Sequence, residues 1–168
     1  MTQTRKTTIK NKLTLARDEL LALADSNDEA EWDTVVYSEG QEWTAADILR
    51  HLTSAEASMT RLIEIIRDGG EGVPSDFDLQ RWNARGIQKA GEKLPGEMIK
   101  EMALNRAHLF SVIDGLADED WSKSGRHGSL RIMTIGEIIN LIADHETQHT
   151  LDMREATNKT TENLGKKA

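Results

Sequence analysis

Five histidines are spread along this chain of 168 residues. Two of them stand four apart in Asp144-His145-Glu146-Thr147-Gln148-His149. Four residues of α-helix bring two side chains onto one face, about 6 Å apart along the axis. With that spacing a helix can offer two imidazoles to one divalent cation. The same stretch carries Ile135, Ile138, Ile139 and Ile142 before the pair and Met153 after it. Steps of three and four make this one apolar stripe, so both imidazoles are expected on the face that turns into the core. Buried neutral imidazoles need partners for their ring nitrogens. Hydrogen bonds among core residues would meet that need, and so would a metal ion with a third ligand.

A candidate third ligand lies in a second helical stretch. Thr44 is placed to cap it, with Asp47 completing a box-like arrangement, and Gly69-Gly70 ends it. Its stripe is Ile48, Leu52, Ala55, Met59, Leu62, Ile63 and Ile66. His51 falls three after Ile48 and four before Ala55, so it too should face inward. His51, His145 and His149 together would make a three-histidine site. Three protein ligands with room for water suit a catalytic ion better than a structural one.

Asp144 and Glu146 flank His145 and should point about 100° to either side of it. Asp144 reads as a solvated carboxylate. Glu146 is a candidate general base if the helix is rotated further than the stripe implies. His145-Glu146-Thr147-Gln148-His149 is also a literal HExxH, which in zinc proteases supplies two ligands and a catalytic glutamate. The extended protease pattern is absent, since Asp152 and Glu155 stand where its glycine and third histidine would be. A downstream carboxylate ligand would have to be Glu155 or Glu162, and His51 is the better third ligand. His108 and His127 read as surface and loop histidines, with His127 the better placed to line a pocket mouth.

Positioning these residues requires long helices. Apolar periodicity predicts a first helix over Lys6–Asp25 and a second from Thr44 to Gly69-Gly70. A third spans about Phe77 to Glu92, a fourth runs from Glu97 to about Ile113, and the last runs from Ile135 to about Ala156. Thr134 and Glu137 form a capping box ahead of the last helix. Val35-Val36-Tyr37 is an extended piece too short to seed a sheet. Asp118–Arg131 reads as a polar connector, and the polar tail 157–168 is expected to fray. Trp82 and Asn83 are expected to pack or cap. The fold class is all-α, a four-helix bundle forming one domain over residues 1–168.

The formal charge of −8 argues against nucleic acid as a partner, because phosphate binding needs a basic footprint. Cysteine is absent, which excludes disulfides, thiolate metal sites and a cysteine nucleophile. Thiol chemistry would need a thiol from solution. No apolar run approaches ~18 residues, and the N-terminus lacks a signal-peptide core, so a cytoplasmic protein without membrane segments is expected.

The chain resembles the DinB/YfiT-like superfamily of bacterial four-helix-bundle metalloproteins. The resemblance rests on Trp43-Thr44-Ala45-Ala46-Asp47-Ile48-Leu49-Arg50-His51-Leu52 and on Asp144-His145-Glu146-Thr147-Gln148-His149. Arg81-Trp82-Asn83 and Leu116-Ala117-Asp118-Glu119-Asp120-Trp121 look similar as well. The resemblance implies a divalent ion (zinc, nickel, iron or manganese) on His51, His145 and His149, and a homodimer. Relatives include mycothiol-dependent maleylpyruvate isomerases, bacillithiol S-transferases and zinc-dependent hydrolases. The first expectation is therefore a metal-dependent transferase that activates a low-molecular-weight thiol against a small electrophilic substrate. The alternatives are a metal-dependent hydrolase, a non-enzymatic stress-related binding protein, and a purely structural bundle.

Overall fold

The structure, a computed structural model, describes the backbone of residues 2–165 and the side chains of residues 3–158. Four long helices pack together: α1 (Thr2–Ser26), α3 (Ala45–Arg67), α5 (Pro95–Gly115) and α6 (Ile135–Gly165). A short helix α2 (Glu29–Trp32) follows α1, and α4 (Leu79–Ala90) lies against α3. None of the described helices is long and apolar enough to cross a membrane.

Capping chemistry sets the starts of the two histidine-bearing helices. The Thr44 hydroxyl accepts from the Asp47 backbone N–H, and the Asp47 carboxylate accepts from the Thr44 N–H at 3.2 Å. Thr134 and Glu137 make the same reciprocal pair at α6. Each box occupies two amide donors that a helix start leaves unpaired. At the far end of α3, Gly69 takes φ +93° and the Gly70 N–H bonds back to the Ile65 carbonyl, a turn that favours glycine.

The interior is split into two apolar clusters. One is built on Leu13, Met59, Ile63, Leu109 and Ile142, the other on Leu20, Leu52, Met98, Met102 and Met153. On each long helix one charged residue lies between its contributions to the two clusters: Arg17, Glu56, Arg106 and Glu146. They form a closed set of ion pairs, so a charged layer divides the apolar core.

Several elements depart from the sequence reading. Val35–Tyr37 (β1) pairs antiparallel with Trp43–Thr44 (β2) through an irregular register, so the extended piece finds a partner. The polar connector is structured as well. A 3₁₀ turn over Glu119–Ser122 leads into β3 (Ser124–Arg126), which pairs with β4 (Ile132–Thr134). Gly72 bridges to Arg126, where a Cβ would collide with the Arg126 backbone. Helix α6 continues to Gly165 rather than ending near Ala156. No glycine or proline interrupts it between Gly136 and Gly165, and buried Thr157 donates to the Met153 carbonyl. Residues 166–168 of the expected frayed tail lie outside the described region.

Candidate metal centre

The α3 and α6 stripes bring His51, His145 and His149 to one point. His145 Nε2 lies 3.0 Å from His51 Nε2 and 3.0 Å from His149 Nε2. Each histidine offers a ring nitrogen within 4.8 Å of the other two. Burial disfavours the charged imidazolium in all three. It lowers the His51 pKa to about 4 and the His145 pKa to about 3, and lowers that of His149 as well. The mutual influence of the imidazoles adds to the effect at His51 and His145. At neutral pH the three rings are therefore uncharged and present lone pairs.

Which nitrogen of His149 holds the ring hydrogen follows from its neighbours. The Tyr37 hydroxyl donates a short hydrogen bond to the Asp152 carboxylate and lies 2.9 Å from His149 Nδ1. Its hydrogen committed to Asp152, the hydroxyl oxygen accepts from Nδ1–H of His149. That leaves a lone pair on Nε2. Gln148 donates to the other oxygen of Asp152 at 2.9 Å. Burial, then the Asp152 hydrogen bond, pushes the Tyr37 hydroxyl's pKa upward, so it keeps its hydrogen.

The donor set fits a cation. Three Nε2 atoms crowd together, and His149 brings no hydrogen to the meeting point. Nitrogens 3.0 Å apart fit on the shell of one ion, where bonds to imidazole are about 2.0–2.1 Å. A carboxylate that orients a ligating histidine is the usual outer support of such sites; here Tyr37 stands between the two. The His51 ring packs against that of Trp43, with centroids 4.9 Å apart and planes tilted by 44°.

His51 and His145 also border a cavity of about 620 Å³. Its walls come from α3, α4, α6 and the β3–β4 hairpin, and they are mainly apolar, including Leu62, Val73, Phe77, Leu79 and Trp82. Phe77 and Trp82 contact each other at 5.5 Å between ring centroids.

The remaining sequence candidates fall elsewhere. Glu146 is 3% exposed and turns away from the histidines. Its two oxygens are taken by Arg17 and Arg106, which also hold Glu56 at 2.6 Å each. Asp144 is on the surface and pairs with Lys12 at 2.7 Å. His108 is exposed, 3.6 Å from Glu64. His127, on the hairpin loop, lines the cavity, and so do Trp82 and Asn83.

A profile of the DinB superfamily matches residues 12–153. The chain belongs to the DinB superfamily. Among its relatives is the Bacillus subtilis (strain 168) protein YuaE, 25% identical over 129 residues that cover 71% of this chain and 80% of YuaE. YfiT from Bacillus subtilis is described as a probable metal-dependent hydrolase with an unusual four-helix bundle topology. It superposes with a TM-score of 0.77 at 15% identity, over 93% of this chain and 87% of YfiT. A mycothiol-dependent maleylpyruvate isomerase superposes with a TM-score of 0.69 at 18% identity, over 86% of this chain and 60% of the isomerase. At those identities the superpositions establish the shared four-helix-bundle fold of this DinB-superfamily chain, and the site must be argued from its own residues.

Proposed function

We propose that the chain is a metal-dependent transferase that joins a low-molecular-weight thiol to a small electrophile. The observation that carries this reading is that the converging imidazoles open onto a large apolar cavity with no carboxylate among its lining residues. A divalent ion on His51, His145 and His149 would lower the pKa of a bound thiol, giving a nucleophile at neutral pH without a separate base. The chain has no cysteine of its own, so the thiol is a co-substrate.

The other roles belong to the protein. Tyr37 and Asp152 hold His149 in the ligating tautomer. Phe77, Trp82, Leu62 and Leu79 keep water from the reacting groups and pack the substrate's apolar part. His127 accepts at Nδ1 from the Ser129 backbone N–H, which places its ring hydrogen on Nε2. Burial, then Arg131, keeps it neutral. It is suited to donating a hydrogen bond to an electrophile's carbonyl.

Hydrolysis is the second reading, favoured by the structural likeness to YfiT. Activated water would need a proton acceptor at the cavity. The carboxylate of Glu146, the base weighed from sequence, is committed to Arg17 and Arg106, and His127 presents a donor. A thiol, more acidic than water, would release its proton to solvent on binding the ion, so thiol transfer needs no such group. We also propose a cytoplasmic homodimer, which light scattering on the purified chain would check.

The test is elemental analysis of untagged protein, followed by assay of the metal-loaded form with 1-chloro-2,4-dinitrobenzene and a panel of thiols. About one ion per chain and thiol-dependent turnover support the transferase. Ester hydrolysis without thiol supports the hydrolase. Stoichiometric uptake without turnover points to a binding protein, and no ion even after incubation with zinc or nickel sinks the transferase and the hydrolase and leaves a binding or interaction bundle.

A further inference from the structure

Beside the apolar cavity lies a second groove of about 480 Å³, between α3, α4 and the start of α5. Arg50, Arg85, Lys89 and Lys93 line it, and Glu101 is the one acidic residue in its lining. In a chain of net charge −8 this is a local reversal of sign. Two of the cations are neutralised: Lys93 pairs with Glu101 at 2.6 Å, and Arg50 with Asp47 at 3.0 Å. Arg85 and Lys89, one turn apart on α4, pair with no acid among the described residues. The Nε of Arg50 is buried without a hydrogen-bond partner.

The groove and the cavity share a wall formed by Ala57, Ser58 and Trp82. Gly86 holds α4 tightly over this region, since a Cβ there would press into the Ser54 side chain. Along α3, Ser58 is seven residues from His51, about 10 Å at the helical rise. A molecule reaching from the imidazoles past this wall therefore meets apolar surface first and positive charge beyond the wall.

We propose that the groove binds the carboxylate end of an amphipathic small molecule whose apolar body lies in the cavity against Phe77 and Trp82. Two cations without acidic partners, flanked by an Arg50 donor without an acceptor, match a carboxylate in charge and in hydrogen bonding. The inference refines the substrate class of the proposed reaction. It rests on that reading only in taking the cavity as the place of reaction.

The experiment compares 4-phenylbutyrate with its uncharged analogue 4-phenylbutanol by calorimetry on the metal-loaded protein. The acid is expected to bind about fivefold more tightly, as one or two partly exposed ion pairs would give. The double variant Arg85→Gln/Lys89→Gln should erase that advantage and leave the alcohol's affinity unchanged. Lys12→Gln, which removes a charge on α1, should alter neither. The measurements are repeated after the metal is stripped by chelation. A carboxylate in the groove keeps its advantage in the stripped protein, whereas a carboxylate on the ion loses it, and that loss would overturn the proposal. So would equal affinity of acid and alcohol in the parent, an advantage that survives in the double variant, or no binding of either compound. Failure of the metal reading alone would leave the acid's advantage intact, so the two failures are separable.

Discussion

His145 and Glu146 are neighbours in sequence and belong to two opposite kinds of polar cluster. Glu146 enters a set of two carboxylates and two guanidiniums in which every carboxylate oxygen meets an arginine nitrogen. Arg17 and Arg106 place further N–H groups on the carbonyls of Met102 and Leu13. Charge and hydrogen bonding both close, so nothing is left to offer a ligand. His145 enters a set of three neutral imidazoles that turn the same kind of atom toward one another. His149 brings no hydrogen to that meeting point, and a cation would be a fitting partner for the lone pairs turned inward. A buried polar cluster that is complete divides and specifies the core. One that lacks a partner is where chemistry is to be sought.

Breaking the closed cluster should have the largest effect. Arg106→Leu leaves Glu56 and Glu146 each short of a partner in the interior, and a loss of about 3–5 kcal/mol in urea unfolding is expected. His145→Asn in metal-free protein should cost about 1 kcal/mol or less. Comparable costs for the two would mean that the histidines are as structural as the ion pairs. The second test separates the clusters by ligand. His149→Asn should reduce bound metal from about one ion per chain to below about one tenth by elemental analysis. It should also abolish the gain of about 2.7 kcal/mol that the parent shows at a free-metal concentration 100 times Kd. Metal retained by the variant would remove the basis for the contrast.

The fold was legible because each long helix writes its buried face in steps of three and four, and because Thr44 with Asp47 and Thr134 with Glu137 mark helix starts. The same periodicity turned His51, His145 and His149 inward. The charged layer also left a signal. Arg17 sits between Leu13 and Leu20, Glu56 between Leu52 and Met59, and Arg106 between Met102 and Leu109, each four after one core residue and three before the next. Two cations and two anions in core register on four helices are a balanced set, but a single charged residue in a stripe is easily assigned to solvent, as Glu146 was to a catalytic role. The Tyr37–Asp152 pair had no comparable signature. It depends on how β1 leans against α6, which no local pattern encodes. The three-residue strands of the β3–β4 hairpin are likewise too short to show alternation.

The tyrosine sharpens the comparison, because it gives the histidine cluster its external support. Tyr37→Phe keeps the ring's packing and removes the acceptor of the His149 Nδ1 hydrogen. Free rotation and tautomer exchange at His149 should weaken metal binding about 10- to 100-fold by competition with a chromogenic chelator, with stability of the metal-free protein nearly unchanged. An unchanged affinity would show that the Tyr37–Asp152 contact is packing alone.

The smallest expected effect lies in pH. Folding lowers the proton affinity of His51 and His145 far below the ordinary histidine value of 6.5. As pH falls through 6.5 the unfolded chain takes up protons at these positions, while the folded metal-free chain does not until about pH 4 for His51 and about pH 3 for His145. The unfolded state then binds more protons, so stability falls with acidification. Between pH 6.5 and 5.5 the loss is about 1 kcal/mol for each histidine kept neutral. His51→Asn should therefore flatten the decline of the metal-free protein's unfolding free energy in urea over that interval by about 1 kcal/mol. A slope unchanged by His51→Asn would place the acid sensitivity in other groups and deny the open cluster its defining property.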